Sequence, residues 1–426
     1  MNTGDLVKIK TKTREYQGIL LPRTGLADDT HLVLKLDNGY NIGLPKDSIV
    51  SSQIITKAGA RPKKKTTKFD KTKSQISIVS TGGTITSTVD YKTGGVFPTE
   101  SPEELLSKIP ELAEHVSIKN MVSPFQMLSE DMTITEWGKI AESVAKELNS
   151  GAEGVIVTHG TDTLHYTSAA LAFMLRNLNK PVAVVGAQRS TDRGSFDGAQ
   201  NLMCAAQYCI SDIAEVAIVM HGTSNDDHCI ANRGTKVRKM HTSRRDAFRP
   251  INDSPLAQIF PDGNIIIGNT DHKTRSTGKV ELDNKFERAV GLMYSYPSSK
   301  PERLDFLLEK GFKGVILAGT GFGHIATQPT DEKYNWLPVI KKAIKKGVFI
   351  GITSQAFYGT TDPYVYSAGR LLKDAGCVFL KDMLPETAYV KLSWVLAHKN
   401  WDVKEKMLEN IAGEFNERID PKAFLN

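Results

Sequence analysis

The chain has 426 residues, 40% hydrophobic and 24% charged, with 54 Lys and Arg against 48 Asp and Glu. That balance excludes a disordered chain, a collagen and a coiled coil, and at ~100–200 residues per domain the length implies two or three domains. No apolar run reaches the ~18 residues of a membrane helix, the start MNTGDLVKIK has no signal-peptide core, and four cysteines without a CxxC pair fit the reducing cytosol.

Residues 1–57 read as five short strands. Val7 and Ile9 alternate with Leu6, Lys8 and Lys10, and HLVLKL and YNIGL flank an Asp37-Asn38-Gly39 turn, a hairpin signal. A small N-terminal β-barrel is expected, similar in shape to Sm-like or SH3-like barrels. Residues 58–73 follow with seven basic residues and one acid, without apolar periodicity. They carry the whole excess of positive charge and leave 47 residues of each sign elsewhere. The stretch reads as a solvated linker, with a phosphate-contacting tether for RNA as the sharper alternative.

From residue 74 the pattern changes. ISIVSTGGT, GVIVTHGTD, VAVVGAQRS, VAIVMHGTS, GVILAGTG and VFIGITSQ are apolar, β-branched runs, and several are followed by helix-like stretches. Hydrophobic strands alternating with helices predict an α/β fold with mostly parallel sheets covered on both faces. The polar stretch after 269 sets the boundaries: a larger α/β domain at 74–270, a connecting segment at 271–288 and a smaller α/β domain at 289–426. Ligands in such sheets bind beyond the carboxyl ends of the strands.

Two strand-end turns carry hydroxyls and glycines there. One is Thr81-Gly82-Gly83-Thr84-Ile85; the other is Thr158-His159-Gly160-Thr161-Asp162-Thr163, before a helix start. Glycines admit close backbone approach, and a helix N-terminus offers free N–H groups. Each turn alone also reads as ordinary capping and loop chemistry, and neither ends in the Gly-Lys-Ser/Thr of a phosphate loop. His221, His228, Cys229 and His241 fit no zinc spacing, so no metal is expected. Arg244, Arg245 and Arg249 read as a solvated face.

In this order and spacing, TGGTI and THGTDT resemble the L-asparaginase/glutaminase family. The likeness continues through Leu128-Ser129-Glu130-Asp131-Met132-Thr133, RGTKVRKMHTSRRDAF at 233–248 and SAGRLLKDAGC at 367–377. It implies a two-domain asparaginase-like fold and amide hydrolysis through an acyl-enzyme. Carried over residue by residue, Thr84 matches the nucleophile, Thr161 and Asp162 the second Thr-Asp pair, and Lys239 the lysine that completes it. Gly83, Ser129, Glu130 and Gly160 fall at substrate-binding positions, Ser129 where the α-carboxylate is held; Glu130 departs from the usual Gln or Ser. The family's lid tyrosine is replaced by Val96-Phe97, leaving Tyr91 upstream to supply a phenol. A lysine acts as base only when neutral, a form that burial favours and an adjacent carboxylate opposes. Backbone N–H groups near Thr161 are expected oxyanion donors.

The front end distinguishes this chain from ordinary asparaginases. A barrel, a basic linker and an asparaginase body resemble the GatD family of archaeal glutamyl-tRNA(Gln) amidotransferases. That resemblance implies glutamine deamidation, with ammonia passed to a partner, GatE, which activates Glu-tRNA(Gln) with ATP. It implies a homodimer of this chain in a heterotetramer with GatE, ATP and Mg on the partner, no cofactor in this chain, glutamine or asparagine as amide donor, and a cytoplasmic location. A free-standing asparaginase and a catalytically dead scaffold are the alternatives.

Overall fold

The computed structural model describes residues 1–21, 30–36, 41–57, 70, 72–82, 87–89, 96–98, 109, 111–189 and 196–424. Five antiparallel strands come first: β1 (Leu6–Thr11), β2 (Glu15–Leu20), β3 (His31–Leu36), β4 (Asn41–Pro45) and β5 (Ile49–Thr56), in the order β4-β3-β2-β1-β5. Alternation sends Val7 and Ile9 inward to meet Leu20, Leu34 and Leu44 in a small core of their own. The expected hairpin is β3–β4, with His31 opposite Pro45; its Asp37-Asn38-Gly39 turn lies outside the described residues. Of the basic stretch, 58–69 and 71 also lie outside. Lys73, counted there as solvated, instead donates to the carbonyls of Ala113 and Glu114 at 2.8 and 2.7 Å, closing a helical turn.

The body is built on two sheets. Strands β6 (Gln75–Ser80), β9 (Ser117–Val122), β10 (Val155–Thr158), β12 (Val182–Val185) and β13 (Val216–His221) run parallel, in the spatial order β9-β6-β10-β12-β13. Between β6 and β9 lies a two-strand ribbon, β7 (Ser87–Val89) and β8 (Val96–Pro98), which pairs Val96 with Val89. β13 turns back antiparallel into β14 (Cys229–Arg233), extended by β17 (Ala257–Ile259) and β18 (Ile265–Ile267). β15 (Val237–Lys239) and β16 (Phe248–Pro250) form a separate hairpin. A second, wholly parallel sheet contains β20 (Val290–Tyr294), β21 (Gly314–Gly319), β22 (Phe349–Ser354) and β23 (Val378–Phe379). The strands are continuous apolar runs because both faces are covered; every residue of β10 and β12 is buried.

The chain leaves β6 to place β9 on one side, then returns to place β10 on the other. Between β6 and β10 the direction of winding reverses, which opens a crevice at the carboxyl ends of these two strands. Everything the site contains is positioned relative to that crevice.

The polar stretch after 269 does not hang loose, because it is anchored by backbone and polar bonds. β19 (Glu281–Leu282) pairs with β11 (Leu175–Arg176), Asn149 exchanges two 2.9 Å bonds with the backbone of Val280, and Arg275 donates to three carbonyls. The helix Pro385–Leu396 then returns to the large sheet's helical layer, where Trp394 stacks on Phe173 at 5.8 Å. One apolar interior therefore contains Phe173, Leu171, Leu392 and Phe415 together.

A fully buried ion pair crosses that interior: Lys236 Nζ donates to Asp382 Oδ2 at 2.5 Å, and Asn416 donates its backbone N–H to Asp382 Oδ1. Burial lowers the pKa of Lys236, and Asp382 opposes that shift. Removing one member of such a pair strands the other charge, at a cost of about 3–5 kcal/mol. Asp382→Ala is expected to destabilise the protein by that amount, read from urea unfolding, whereas Lys333→Ala, at an exposed pair with Asp331, is expected to leave it nearly unchanged.

Candidate active site

Three loops meet in the crevice. β6 and β10 are in register with Ser80 beside Thr158, so the two Thr-Gly turns emerge side by side. They are tied directly: Thr81 donates its backbone N–H and its hydroxyl to the carbonyl of Thr158, at 3.2 and 2.9 Å. Thr81 in turn accepts at its carbonyl from the N–H of Met127, at 3.1 Å. That contact brings in the third loop, the one after β9. Gly82 has φ +114°, and a side chain there would place its first carbon 2.6 Å from the Met127 carbonyl oxygen, so only glycine fits.

Ser129 opens a 3-10 turn, Ser129–Asp131, and is buried against the second turn. A side chain at Gly160 would lie 2.9 Å from both Cβ and Oγ of Ser129, and Thr163 donates its hydroxyl to the Ser129 carbonyl at 2.6 Å. Glu130, the next residue, is exposed. A cavity of about 520 Å³, lined by Met132, Ile134, Trp137, Thr163, Tyr166 and Tyr389, opens beside this contact.

Lys239 arrives from 78 residues away, at the end of β15. Its Nζ donates to Thr161 Oγ1 at 2.9 Å and to Asp162 Oδ1 at 2.7 Å. The ammonium end is sheltered, with 10% of the side chain exposed, while Asp162 is 65% exposed. Thr161, Asp162 and Lys239 thus converge, and Gly160 and Ser129 pack on each other beside them. Thr84, Gly83 and Tyr91 lie outside the described residues.

The asparaginase N-terminal domain profile matches residues 75–272, the glutaminase/asparaginase C-terminal domain profile matches 289–407, and the GatD N-terminal domain profile matches 1–55. The chain is 48% identical to the glutamyl-tRNA(Gln) amidotransferase GatD protein of Pyrococcus furiosus, covering 100% of this chain and 97% of that one. It is 43% identical to the corresponding protein of Sulfolobus acidocaldarius, over 98% of this chain and 92% of that one. The chain belongs to the GatD family of glutamyl-tRNA(Gln) amidotransferases. Among solved structures, the thermostable L-asparaginase from Thermococcus kodakarensis superposes with TM-score 0.71 at 27% identity, covering 81% of this chain and 100% of that one. L-asparaginase I from Vibrio cholerae gives 0.68 at 29%, over 81% and 99%. For a GatD family member, the uncovered fifth of the chain is in keeping with a front end that the asparaginases lack.

Sequence reading left several supports unassigned. His159, inside the second turn, is buried; its Nδ1 faces the Gly160 carbonyl at 2.6 Å and its Nε2 the Thr167 hydroxyl at 2.8 Å. With the carbonyl as acceptor, Nδ1 carries the proton and Nε2 accepts from Thr167. This pins the turn to the helix Leu164–Met174. The arginines expected on a solvated face are ion-paired: Arg244 and Arg249 both hold Asp246, and Arg245 holds Asp226. Asp246 closes the hairpin that carries Lys239. His221 bonds Asn201 and Asp226, and Cys229 is buried.

Burial pushes the pKa of His159 down to about 4. Burial, then the charges of Arg238 and Lys239, push that of His165 down to about 3. Both are neutral when folded and gain a proton near pH 6.5 when unfolded, so stability present above pH 6.5 is lost as pH falls toward 4. The slope is roughly 1.4 kcal/mol per pH unit for each histidine. His159→Asn is expected to remove one histidine's share of that slope in urea unfolding between pH 6.5 and 4.5.

Proposed function

We propose that this chain is the amide-hydrolysing component of a tRNA-dependent amidotransferase, releasing ammonia from glutamine through a threonine acyl-enzyme. The observation that carries the reading is the Lys239–Thr161–Asp162 cluster at the crevice, on the strand end adjacent to the one that leads into Thr84.

Thr84 is the nucleophile. Its Oγ1 bonds to the carboxamide carbon, the carbonyl pair moves onto oxygen, and the hydroxyl proton passes to the Thr161–Lys239 pair. Collapse of the tetrahedral species expels the amide nitrogen, which takes that proton and leaves as ammonia, and a γ-glutamyl ester remains. Water then attacks the ester by the same route in reverse, giving glutamate and free Thr84. A hydroxyl is a weak nucleophile, so the pair that accepts its proton is the main requirement. N–H groups of the turn opening the helix Leu164–Met174 are suited to the oxyanion, where one donor contributes about 3–4 kcal/mol. Asp162 holds Lys239 over Thr161, and the proton is taken by the Lys239 amine, which serves as base in its neutral form. Ser129, buried against Gly160, takes the α-carboxylate of the amino acid.

The chain itself is proposed to use no cofactor, with ATP and Mg²⁺ on GatE. There the ammonia converts activated Glu-tRNA(Gln) to Gln-tRNA(Gln), in a heterotetramer built on a homodimer of this chain. An amidotransferase that hydrolysed glutamine unprompted would waste ammonia, so its glutaminase activity is coupled to binding of the partner.

Two measurements of ammonia release test this. Thr84→Val, nearly isosteric, is expected to lose at least a thousandfold in kcat; loss confined to Thr161→Val would exchange the roles of the two threonines. Adding GatE and charged tRNA is expected to raise glutaminase activity at least tenfold. A lone chain that hydrolyses asparagine as fast as the full mixture hydrolyses glutamine would favour a free-standing asparaginase.

A further inference from the structure

The hydroxyl of Thr161 has a second neighbour, on the next strand of the sheet. β12 ends at Val185, and Gln188, three residues on, brings its Oε1 to 3.5 Å from Thr161 Oγ1. With Lys239 donating to that oxygen, the hydroxyl proton is left to point at Gln188. The contact is long, as such contacts often are before substrate binds. The other end of the same amide is unusual: Gln188 Nε2 is buried and has no hydrogen-bond partner among the described residues. Buried amide N–H groups are almost always paired, because an unpaired one forfeits the hydrogen bonds it made in water.

The position of Gln188 is built, not incidental. Asp197, itself fully buried, accepts from the backbone N–H groups of Gln188 and Arg189 at 3.1 and 2.9 Å. Asn201 donates to the same carboxylate at 3.1 Å and to the Gly186 carbonyl at 3.0 Å, and accepts at its Oδ1 from His221 at 2.6 Å. The loop after β12 is thereby fixed from below, which is how side chains that must hold a ligand are supported.

We infer that Gln188 is a further substrate-binding residue: its Oε1 holds the Thr161 hydroxyl and its Nε2 donates to an acceptor oxygen of the bound amide donor. The inference rests on the proposed amide hydrolysis for the identity of that ligand. One side chain then couples the direction of the Thr161 hydroxyl to occupancy of the site.

The test uses the full chain together with GatE. KM and kcat for ammonia release from L-glutamine are measured in wild type, Gln188→Met, which removes both contacts, and Gln188→Glu, which keeps an acceptor for Thr161 but loses the donor. KM is expected to rise at least tenfold in both, with kcat falling further in Gln188→Met. KM within twofold of wild type in both variants would overturn the inference. If Gln188→Met does not fold, judged by its melting curve, Gln188→Glu alone decides. A second measurement separates this inference from the reaction on which it rests. The dissociation constant of L-glutamine is determined by calorimetry in Thr84→Val, with and without Gln188→Met. A tenfold weakening in a protein whose wild type releases no ammonia would leave the contact standing and the reaction wrong. Unchanged affinity in a protein whose wild type hydrolyses glutamine would leave the reaction standing and the contact wrong.

Discussion

Ser80 and Thr158 sit side by side at the carboxyl ends of two parallel strands that belong to opposite directions of winding. Parallel pairing leaves the backbone beyond each end unsatisfied by the ladder, and here the two ends satisfy one another: Thr81 donates twice to the Thr158 carbonyl. The Thr81–Gly82 and His159–Asp162 segments can therefore diverge only beyond a fixed point. With Met127 bonded to Thr81 and Thr163 to Ser129, the third loop is held by the same junction. A one-residue slip of β6 against β10 would turn its side chains to the other face and break both bonds from Thr81 to Thr158.

Lys239 reaches this junction by a different route. Its strand is three residues long and pairs with β16, which is little to hold a lysine against its own rotamer freedom. The strip that leads to it is fastened to the chain's second half instead. Thr235 donates to Ala412 and accepts from Thr387, Lys236 pairs with Asp382, and Arg238 pairs with Glu386 while lying 4.2 Å above the Phe357 ring. The smaller sheet and its helices thus act at the crevice in two ways: Tyr389 lines the cavity beside Thr163, and the contacts above set where Lys239 Nζ stands. This gives a physical reason for the second α/β unit to accompany the first.

Much of this was legible in the residues. The β-branched runs ending in Gly and Thr named the parallel strands, and the paired threonine turns pointed to the site because their hydroxyls leave strand ends at fixed spacing. Other parts left no local signal. Lys239 lies in a charged stretch whose periodicity is neither helical nor alternating, and only the family resemblance singled it out. Gln188 was read merely as the end of a VAVVGAQRS run, since a lone glutamine after a strand looks like any polar loop residue. Arg244, Arg245 and Arg249 read only as a solvated face, which Arg244 remains in part. Their partner Asp246 stands two residues from Arg244 and three from Arg249, whereas the Arg245–Asp226 pair, 19 residues apart, is made by the fold. The stretch after 269 read as a connecting segment with few core residues because what holds it is backbone pairing and arginine–carbonyl bonding, invisible to hydropathy.

The central claim is that the strand end adjacent to the Lys239–Thr161–Asp162 cluster delivers the attacking oxygen. It is tested most directly by finding the covalent intermediate. The chain, together with the proposed partner GatE, would be quenched in acid during glutamine turnover and digested, and its peptides weighed. The account predicts a γ-glutamyl ester on Thr84. An ester on Thr161, with Thr84 unmodified, would contradict it.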